Sequence, residues 1–298
     1  MASTNIAAEF KDFADFTQFN APLGPHTPLG VGGSVEVLVQ PRTRDELAAV
    51  IRHCSAKQLR YRILGGGGNI LVRDEGVAGI VLRLVTPAFT QVSVEKRSVK
   101  AGSGATLTAL IAHACRNGLA GLESMVGLPG TVGGALLLNA GDRNSDIGQL
   151  VRRVEVIDSQ GNVQTREHDE IRFTSSGTIL DDPVLISAEF SLDNDNRDTI
   201  TKRLRKAWIQ YKATQPFSYQ STARIFKNPP GLNAGALIEQ AGLNTTKVGA
   251  VAISERNPNY LVVESGATTR DVLRLVDLVR TRVNDRFHIE LELAISVW

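Results

Sequence analysis

Two glycine-rich segments constrain this chain more than any other feature. The first is LGGGGN at residues 64–69, and the second is GLPGTVGGA at residues 127–135. Each glycine costs roughly 1 kcal/mol relative to alanine in regular structure, so such runs indicate backbone that turns with positive φ or that another group approaches closely. For the first segment we expect an anion bound by backbone N–H groups. A flexible surface turn is the alternative.

The second segment is too apolar for a solvent-exposed loop and too rich in glycine for a helix interior. We therefore predict backbone that is pressed against a ligand or against another part of the chain, with close structural packing alone as the alternative. The leucines at 136–138 indicate that the chain then enters the core. Neither segment matches GxGxxG or GxxxxGK[ST], so the usual dinucleotide and P-loop patterns are absent.

Composition and charge exclude several classes of partner. The 298 residues suffice for two or three domains. The 33 Lys and Arg residues balance 31 Asp and Glu residues without a basic block, which predicts no nucleic-acid partner and no membrane-surface helix. No run approaches the roughly 20 apolar residues of a membrane span, and the acidic N-terminus has no apolar core, so we expect a cytoplasmic protein.

The two cysteines give no indication of a metal site. Cys54 and Cys115 lie far apart in sequence and lack CxxC or other metal-ligand spacing. We expect reduced structural thiols and no metal, with a disulfide or a catalytic thiol as the alternative.

The pattern of strands and helices predicts an α+β protein with four parts. A lead-in over 1–21 precedes a small β-α-β unit at 22–84, in which Thr43 caps a helix that extends to residue 58. The part at 85–196 is rich in short strands, with a helix over 106–118 and a hairpin that turns at 159–162. The last part, 197–298, has predicted helices at 197–216, 234–242 and 268–287, and predicted strands at 250–254, 259–265 and 289–298.

Several motifs in a fixed order resemble one enzyme family. They are LGGGGN, GLESMVGLPGTVGGALLLNAG, FKNP followed by AGALIEQAGL, VAIS and GATTRDV. From about Pro22 to the C-terminus the chain resembles the UDP-N-acetylenolpyruvoylglucosamine reductases (UDP-N-acetylmuramate dehydrogenases, the MurB family) of peptidoglycan synthesis, in the branch that lacks an extra substrate-covering loop.

This resemblance implies a fold, a cofactor and a reaction. The fold is a PCMH-type (vanillyl-alcohol-oxidase-like) FAD-binding fold in two subdomains, followed by a C-terminal α+β substrate-binding domain with a final strand returning toward the flavin. NADPH, or NADH, reduces FAD, and the enolpyruvyl ether of UDP-N-acetylglucosamine then takes a hydride at its terminal carbon and a proton at the adjacent carbon. The resemblance also implies a monomer that serves cell-wall biogenesis, cell shape and cell division.

The residues that would bind the flavin match the family's pattern. The first flavin-phosphate loop corresponds to residues 65–69, although the family usually has serine at Gly68. The second loop and the turn after it correspond to residues 129–141. The expected cofactor-binding residues are Gly65, Gly66, Gly67, Gly68, Asn69, Pro129, Gly130, Thr131, Gly133, Gly134 and Asn139. Lys227 and Asn228 match the family's substrate-binding positions, with a solvated turn as the alternative.

The residues that would carry out the chemistry depart from the pattern at three positions. Arg224 occupies the place of the family's proton-donating serine, Ser176 that of the arginine that polarises the substrate carboxylate, and Ala294 that of the catalytic glutamate. The family's His-Ala-Asn-Phe segment is Asn257-Pro258-Asn259-Tyr260 here. Loss of a positioned acid typically costs about 10²- to 10⁴-fold in rate.

Some nearby residues are candidate replacements. Arg224 is a poor acid, because guanidinium stays protonated at neutral pH, but it is a good fixed cation for a carboxylate or a pyrophosphate. Glu292 would share a strand face with Ala294 and serve as the acid, or would be a structural or substrate-orienting carboxylate. Ser221 and Thr222 supply hydroxyls, with a turn role as the alternative for Ser221.

Three functions follow as hypotheses. The first is an FAD-dependent reductase of this family, impaired or with a reassigned proton donor. The second is a flavin-binding relative that has lost this reaction and acts as a different oxidoreductase. The third is a non-catalytic binding protein that retains the fold.

Overall fold

The computed structural model describes residues 6–142, 145–174, 177–216 and 222–298. Its helices are α1 (Ile6–Glu9), α2 (Arg44–Ala56), α3 (Pro87–Thr90), α4 (Leu107–Arg116), α5 (Val132–Leu137), α6 (Arg197–Thr214), α7 (Ala234–Gln240) and α8 (Thr269–Phe287). Short 3₁₀ helices span Lys11–Phe16, Gly24–His26, Glu123–Met125, Ile147–Leu150 and His168–Glu170.

The strands are mostly short. They are β1 (Thr17–Pro22), β2 (Ser34–Val39), β3 (Tyr61–Ile63), β4 (Ile70–Leu71), β5 (Val77–Leu82), β6 (Val92–Glu95), β7 (Ser98–Gly102), β8 (Leu119–Ala120), β9 (Gly141–Asp142), β10 (Ser145–Asp146), β11 (Val151–Ile157), β12 (Val163–Glu167), β13 (Arg172–Thr174), β14 (Gly177–Ile179), β15 (Val184–Ser191), β16 (Asp193–Asn194), β17 (Thr222–Arg224), β18 (Lys247–Val248), β19 (Val251–Ile253), β20 (Tyr260–Val263) and β21 (Ser296–Val297). The larger sheets have the orders β1-β2-β5-β3, β12-β11-β15-β7-β6 and β17-β20-β19-β18.

Threonine side chains cap the starts of α2, α4 and α8, as Thr131 does for α5. The Thr43 side chain accepts a hydrogen bond from the Glu46 N–H, and Thr106 caps α4 in the same way. Thr268 and Asp271 form a reciprocal capping box at the start of α8. The cap predicted at Thr43 is therefore confirmed.

The chain divides into two compact units. The first comprises Met1–Phe19, Glu36–Gly66 and Gly79–Tyr211, and the second comprises Asn20–Val35, Gly67–Ala78 and Lys212–Trp298. The predicted boundaries near residues 21, 84 and 196 remain predictions.

The antiparallel sheet of the first unit has one face buried in the core and another face that carries charged side chains. Its buried face contributes Val154, Ala188 and Phe190 to a core with residues of α4 and α5. On the charged side, the Glu155 carboxylate contacts Lys100 Nζ at 2.8 Å and Arg44 Nη2 at 3.0 Å. Burial alone would raise the pKa of Glu155, but hydrogen bonds from Lys100 and Ser187 and the charge of Arg44 together lower it to about 2.

The second unit joins early and late parts of the sequence. Its sheet packs residues such as Ala223, Ile253 and Leu261 into a core with α7 and α8. Strand β4 pairs in parallel with β21, and Asp74, which follows β4, accepts hydrogen bonds from the first N–H groups of α8. The segment after the glycine run therefore belongs structurally with the C-terminal residues.

Three local predictions were wrong. The second glycine segment does contain a helix, α5, because Gly133 and Gly134 follow the Thr131 cap. Leu137 and Leu138 are 52% and 49% exposed, so only Leu136 of that trio enters the core. The predicted strand at 289–298 is reduced to β21 and a single bridge between Leu293 and Phe226, since apolar alternation alone does not supply a pairing partner.

Both cysteines are free thiols. Cys54 is fully buried in the core around α2, and burial raises its pKa to about 11. A thiol in this environment is not a nucleophile at neutral pH.

Candidate functional site

The first two glycines of the LGGGGN run contact the second glycine segment within the first unit. A Cβ atom on Gly65 would lie 2.7 Å from Thr131 Oγ1, and one on Gly66 would lie 2.9 Å from Gly130 Cα. Any side chain at Gly66 would therefore displace backbone. The prediction that the second glycine segment is pressed against another part of the chain is confirmed.

The second glycine segment is fixed to the protein at its far end. An isolated bridge joins Thr131 to Thr106, and the Gly133 N–H donates to the Ser103 carbonyl. A Cβ on Gly133 would lie 3.0 Å from Ser103 Cβ, a tight contact that favours glycine for this approach. Gly130 has φ of +130°, a conformation that favours glycine.

Several polar groups of these loops have no protein partner. Among the residues that the structure describes, none accepts a hydrogen bond from the N–H groups of Gly65, Gly66, Gly130 or Thr131. The buried Ser103 hydroxyl, beside Gly133, also lacks a partner. Unpartnered N–H donors on two segments that contact each other, together with an unpartnered hydroxyl nearby, suit an anionic, phosphate-bearing group, so the residues of the first unit fit FAD.

The rest of the first glycine run belongs to the second unit. Gly67 has φ of +69°, and a Cβ there would lie 2.5 Å from the His26 carbonyl oxygen. A Cβ on Gly68 would meet no atom within 4 Å, so the serine that the family usually has there would fit. Asn69 accepts a hydrogen bond from the Ser296 N–H through its carbonyl.

Two other predicted cofactor residues differ in their surroundings. The Asn139 side chain is engaged at both ends, since its amide donates to the Thr174 carbonyl and its oxygen accepts from the Gly148 N–H. Asn139 thus stabilises the turn after α5. Pro129 is exposed beside Gly130. A direct contact of either residue with the cofactor remains a prediction.

Two family profiles match the sequence. The profile described as an FAD binding domain matches residues 35–166, and the profile described as the UDP-N-acetylenolpyruvoylglucosamine reductase C-terminal domain matches residues 215–298. The first contains the second glycine segment, and the second contains Arg224 and Glu292.

Relatives match nearly the whole chain. A UDP-N-acetylenolpyruvoylglucosamine reductase 2 of Symbiobacterium thermophilum is 40% identical over 279 residues, which are 93% of this chain and 90% of the relative. The chain belongs to the UDP-N-acetylenolpyruvoylglucosamine reductase family. The reductase of Moorella thermoacetica is 37% identical, with 94% and 92% of the two chains covered.

A solved structure supports the same assignment. The UDP-N-acetylenolpyruvylglucosamine reductase of Thermus caldophilus superposes with a TM-score of 0.81 at 33% identity, covering 95% of this chain and all of the other. The predicted α+β fold with a PCMH-type FAD-binding part is confirmed. The chain thus belongs to a family of FAD-dependent oxidoreductases.

Within the second unit, Arg224 lies at the end of β17 with an exposed side chain. Its direct cross-strand partner in β20 is Tyr260. The alternating neighbours Ala223 and Leu261 are opposite each other and buried in the core. Arg224 and Tyr260 therefore share the sheet face that points away from the core.

Lys227 and Glu292 form an exposed ion pair. Lys227 Nζ lies 3.2 Å from Glu292 Oε2, with side chains 59% and 74% exposed. Their backbones are also joined, because the Lys227 N–H donates to the Glu292 carbonyl. Asn228 accepts a hydrogen bond from the Ala234 N–H at the start of α7. The structure thus brings Lys227 and Glu292 together.

Asn259 is a positioning residue whose role the sequence did not reveal. It is 5% exposed, and its side chain binds both the N–H and the carbonyl of Phe226, at 2.9 and 2.8 Å. Its own carbonyl accepts from the Ile225 N–H. Its place in the segment that matches the family's His-Ala-Asn-Phe was the available signal, but the partner lies 33 residues earlier.

Of the remaining predicted residues, Ser176 and Ser221 lie outside the described residues. Thr222 is 9% exposed. Over the described ranges, no group of three His, Cys, Asp or Glu side chains is placed to bind a metal ion. A helix of the length and apolarity needed to cross a membrane is likewise not found in those ranges.

Proposed function

We propose that this protein reduces the enolpyruvyl ether of UDP-N-acetylglucosamine to UDP-N-acetylmuramate. The observation that carries the proposal is the match to reductases over more than nine-tenths of the chain. The packed glycine loops, whose N–H groups at Gly65, Gly66, Gly130 and Thr131 have no acceptor among the described residues, support it from the chemistry of the cofactor.

Bound FAD supplies the hydride for this reaction, and NADPH, or NADH, is the proposed reductant. The backbone donors of Gly65, Gly66, Gly130 and Thr131 would bind its phosphates. Gly133 has no side chain, so the backbone at the start of α5 would lie close to the cofactor. These contacts position the cofactor and leave the substrate chemistry to other residues.

Arg224, Lys227 and Asn228 are the proposed substrate-binding residues. Arg224 provides a permanent positive charge, which stabilises a carboxylate or a pyrophosphate and the negative charge that develops as hydride is added. This charge replaces that of the arginine that the family usually has at the position of Ser176.

Glu292 is proposed to orient substrate through Lys227. A carboxylic acid kept protonated for proton donation lies in an apolar site that excludes water. Glu292 is instead largely exposed and contacts an ammonium group. These surroundings favour the orienting role over the role of acid.

A second candidate function rests on one specific observation. Arg224, Ser176 and Ala294 stand at three positions where the resemblance implies chemical groups. A flavin-binding relative that has lost the reductase step, and acts as a different oxidoreductase or as a binding protein, would have no need of those groups.

One experiment separates the two functions. Under anaerobic conditions, NADPH is added to the FAD-loaded protein until the visible flavin band bleaches, and the enolpyruvyl substrate is then added. The proposed function predicts that the flavin colour returns with stoichiometric UDP-N-acetylmuramate. A flavin that stays bleached favours the second candidate. A protein that cannot be reconstituted with FAD contradicts both enzyme functions.

The setting of the reaction is proposed with it. A monomer in the cytoplasm that acts in cell-wall biogenesis, and through it in cell shape and division, is consistent with the reaction. Size-exclusion chromatography with light scattering tests the monomer. Fractionation of the native cells tests the location.

A further inference from the structure

The exchange of serine for Arg224 removes a hydroxyl from the position where the resemblance implies the proton donor. The cross-strand partner of Arg224 also differs from the family's pattern, but there the change adds a hydroxyl. Tyr260 occupies the place of the phenylalanine in the family's His-Ala-Asn-Phe segment, so a hydroxyl is gained there. Because the two residues are directly opposite in β17 and β20, their Cβ atoms are about 4.5–5.5 Å apart.

The surroundings of the Tyr260 phenol leave its proton available. Gln215 forms a side-chain hydrogen bond with Tyr260, while no partner for the buried Gln215 Oε1 is found among the residues that the structure describes. The Gln215 amide N–H therefore donates to the phenolic oxygen. The phenolic proton is not used in that bond and can be donated to another group.

The charges around Tyr260 suit a group that must release a proton briefly. Burial raises the pKa of Tyr260, whereas the positive charge of Arg224 and the hydrogen bond from Gln215 lower it in part. The phenol thus stays protonated at neutral pH. The same two neighbours stabilise the phenolate once the proton has left.

We propose that Tyr260 is the proton donor of the reduction and that Arg224 and Gln215 stabilise its phenolate. The inference rests on the proposed function. Hydride reaches the terminal carbon of the enolpyruvyl group, the Tyr260 O–H bond breaks, and a C–H bond forms at the adjacent carbon. The phenolate then takes a proton from water, so that the enzyme returns to its starting state. A phenol is a far stronger acid than the aliphatic hydroxyl that it replaces.

The first test compares Tyr260→Phe with the unchanged protein in anaerobic single turnovers. Substrate-dependent reoxidation of the flavin is expected to slow by about 10²- to 10⁴-fold, the cost of a lost general acid. Bleaching by NADPH does not involve this proton, so its rate is expected to stay within about twofold. Tyr61→Phe, which removes the hydroxyl of a tyrosine in β3, is the matched control and is expected to leave both rates unchanged.

A second variant tests whether a hydroxyl at either position 224 or position 260 is sufficient for proton donation. Arg224→Ser combined with Tyr260→Phe restores the pair that the resemblance implies. This double variant is expected to regain at least about tenfold in reoxidation over Tyr260→Phe alone. A double variant no faster than Tyr260→Phe would contradict the exchange of roles between the two strands.

A third measurement needs neither substrate nor turnover. The chain has four tyrosines, so the tyrosinate absorbance of Tyr260 can be obtained by subtracting the titration of Tyr260→Phe. Replacing Arg224 by alanine is expected to raise the pKa of Tyr260. An unchanged or lower pKa would overturn the stabilising role of Arg224.

The outcomes distinguish the inference from the proposed function. If the unchanged protein fails to reoxidise its flavin with substrate, both are overturned. If the unchanged protein turns over and Tyr260→Phe does so at a similar rate, only the role of Tyr260 is overturned.

Discussion

The glycine loops are limited by contacts at or close to the backbone, whereas the segment around Arg224 presents polar side chains on the non-core face of a sheet. At Gly66 an added side chain would displace backbone, and at Gly133 it would press tightly on Ser103. At Arg224 and Tyr260 the side chains leave the sheet on its non-core face, where Arg224 is exposed and Tyr260 is half-buried. Contacts limited by backbone therefore tolerate little change, whereas side chains on the non-core face of a sheet can vary.

The largest expected effect on stability concerns the Asn259 hydrogen bonds, which hold the backbone of the segment around Arg224 in place. Asn259→Ala leaves the buried N–H and carbonyl of Phe226 without partners, and should lower the unfolding free energy by about 3 kcal/mol. Chemical denaturation measures this change. Asn244→Ala, which replaces an exposed loop asparagine, should change stability by less than about 0.5 kcal/mol. Equal stabilities of the two variants would contradict the positioning role of Asn259.

Low pH should reduce the stability of the first unit, which carries the packed glycine loops. The pKa of Glu155 is lowered from 4.5 to about 2, so its contribution to stability is complete above about pH 4.5 and is lost as the pH falls toward 2. We expect a loss of about 2 kcal/mol over this window, measured by denaturation at several pH values. In Glu155→Gln this part of the pH dependence should disappear. A variant with the same pH profile as the unchanged protein would show that another group is responsible.

Gly66→Ala tests the backbone region directly. The added methyl would lie 2.9 Å from Gly130 Cα, so one of the loops must shift. FAD affinity should fall by about tenfold or more, measured by reconstitution of the apoprotein. Gly68→Ser adds a larger side chain into open space and should keep the affinity within about twofold. Similar losses in both variants would mean that the loop–loop contact does not matter.

The smallest expected effect concerns the exposed ion pair. Glu292→Gln should change stability by less than about 0.5 kcal/mol, because exposed pairs contribute little. The rate of flavin reoxidation should fall by less than about tenfold, since a lost acid would cost far more. A decrease of a hundredfold or more in that step, with unchanged FAD binding, would make Glu292 the acid. It would contradict the orienting role that we propose for Glu292.

Local signals predicted much of this fold from the sequence. Threonine caps and helical periodicity placed α2, α4 and α8, and the hairpin at 159–162 joins β11 to β12 as expected. The final strand was predicted too long, since alternation was present without a neighbouring strand to pair with. The glycines at 133 and 134 concealed the helix α5, in which Gly133 packs closely on Ser103.

The site was predicted less completely, for a physical reason. The glycine loops are local motifs, but the partners of Arg224 and Phe226 lie more than 30 residues away along the chain, at Tyr260 and Asn259. Strand register decides which side chains meet, and a single sequence does not specify register before the fold is known.

The Asn259 hydrogen bonds have a consequence for how this site can vary. They fix the backbone at Ile225 and Phe226 from a buried position, whatever side chains project from β17 and β20. Substitutions at 224 and 260 can therefore be tried in pairs without redesigning the surrounding backbone. A combinatorial library that varies these two positions together, with Asn259 retained, would sample new acid and charge combinations on one scaffold. At this site the residues that vary together are then the cross-strand pair Arg224 and Tyr260 rather than either residue alone.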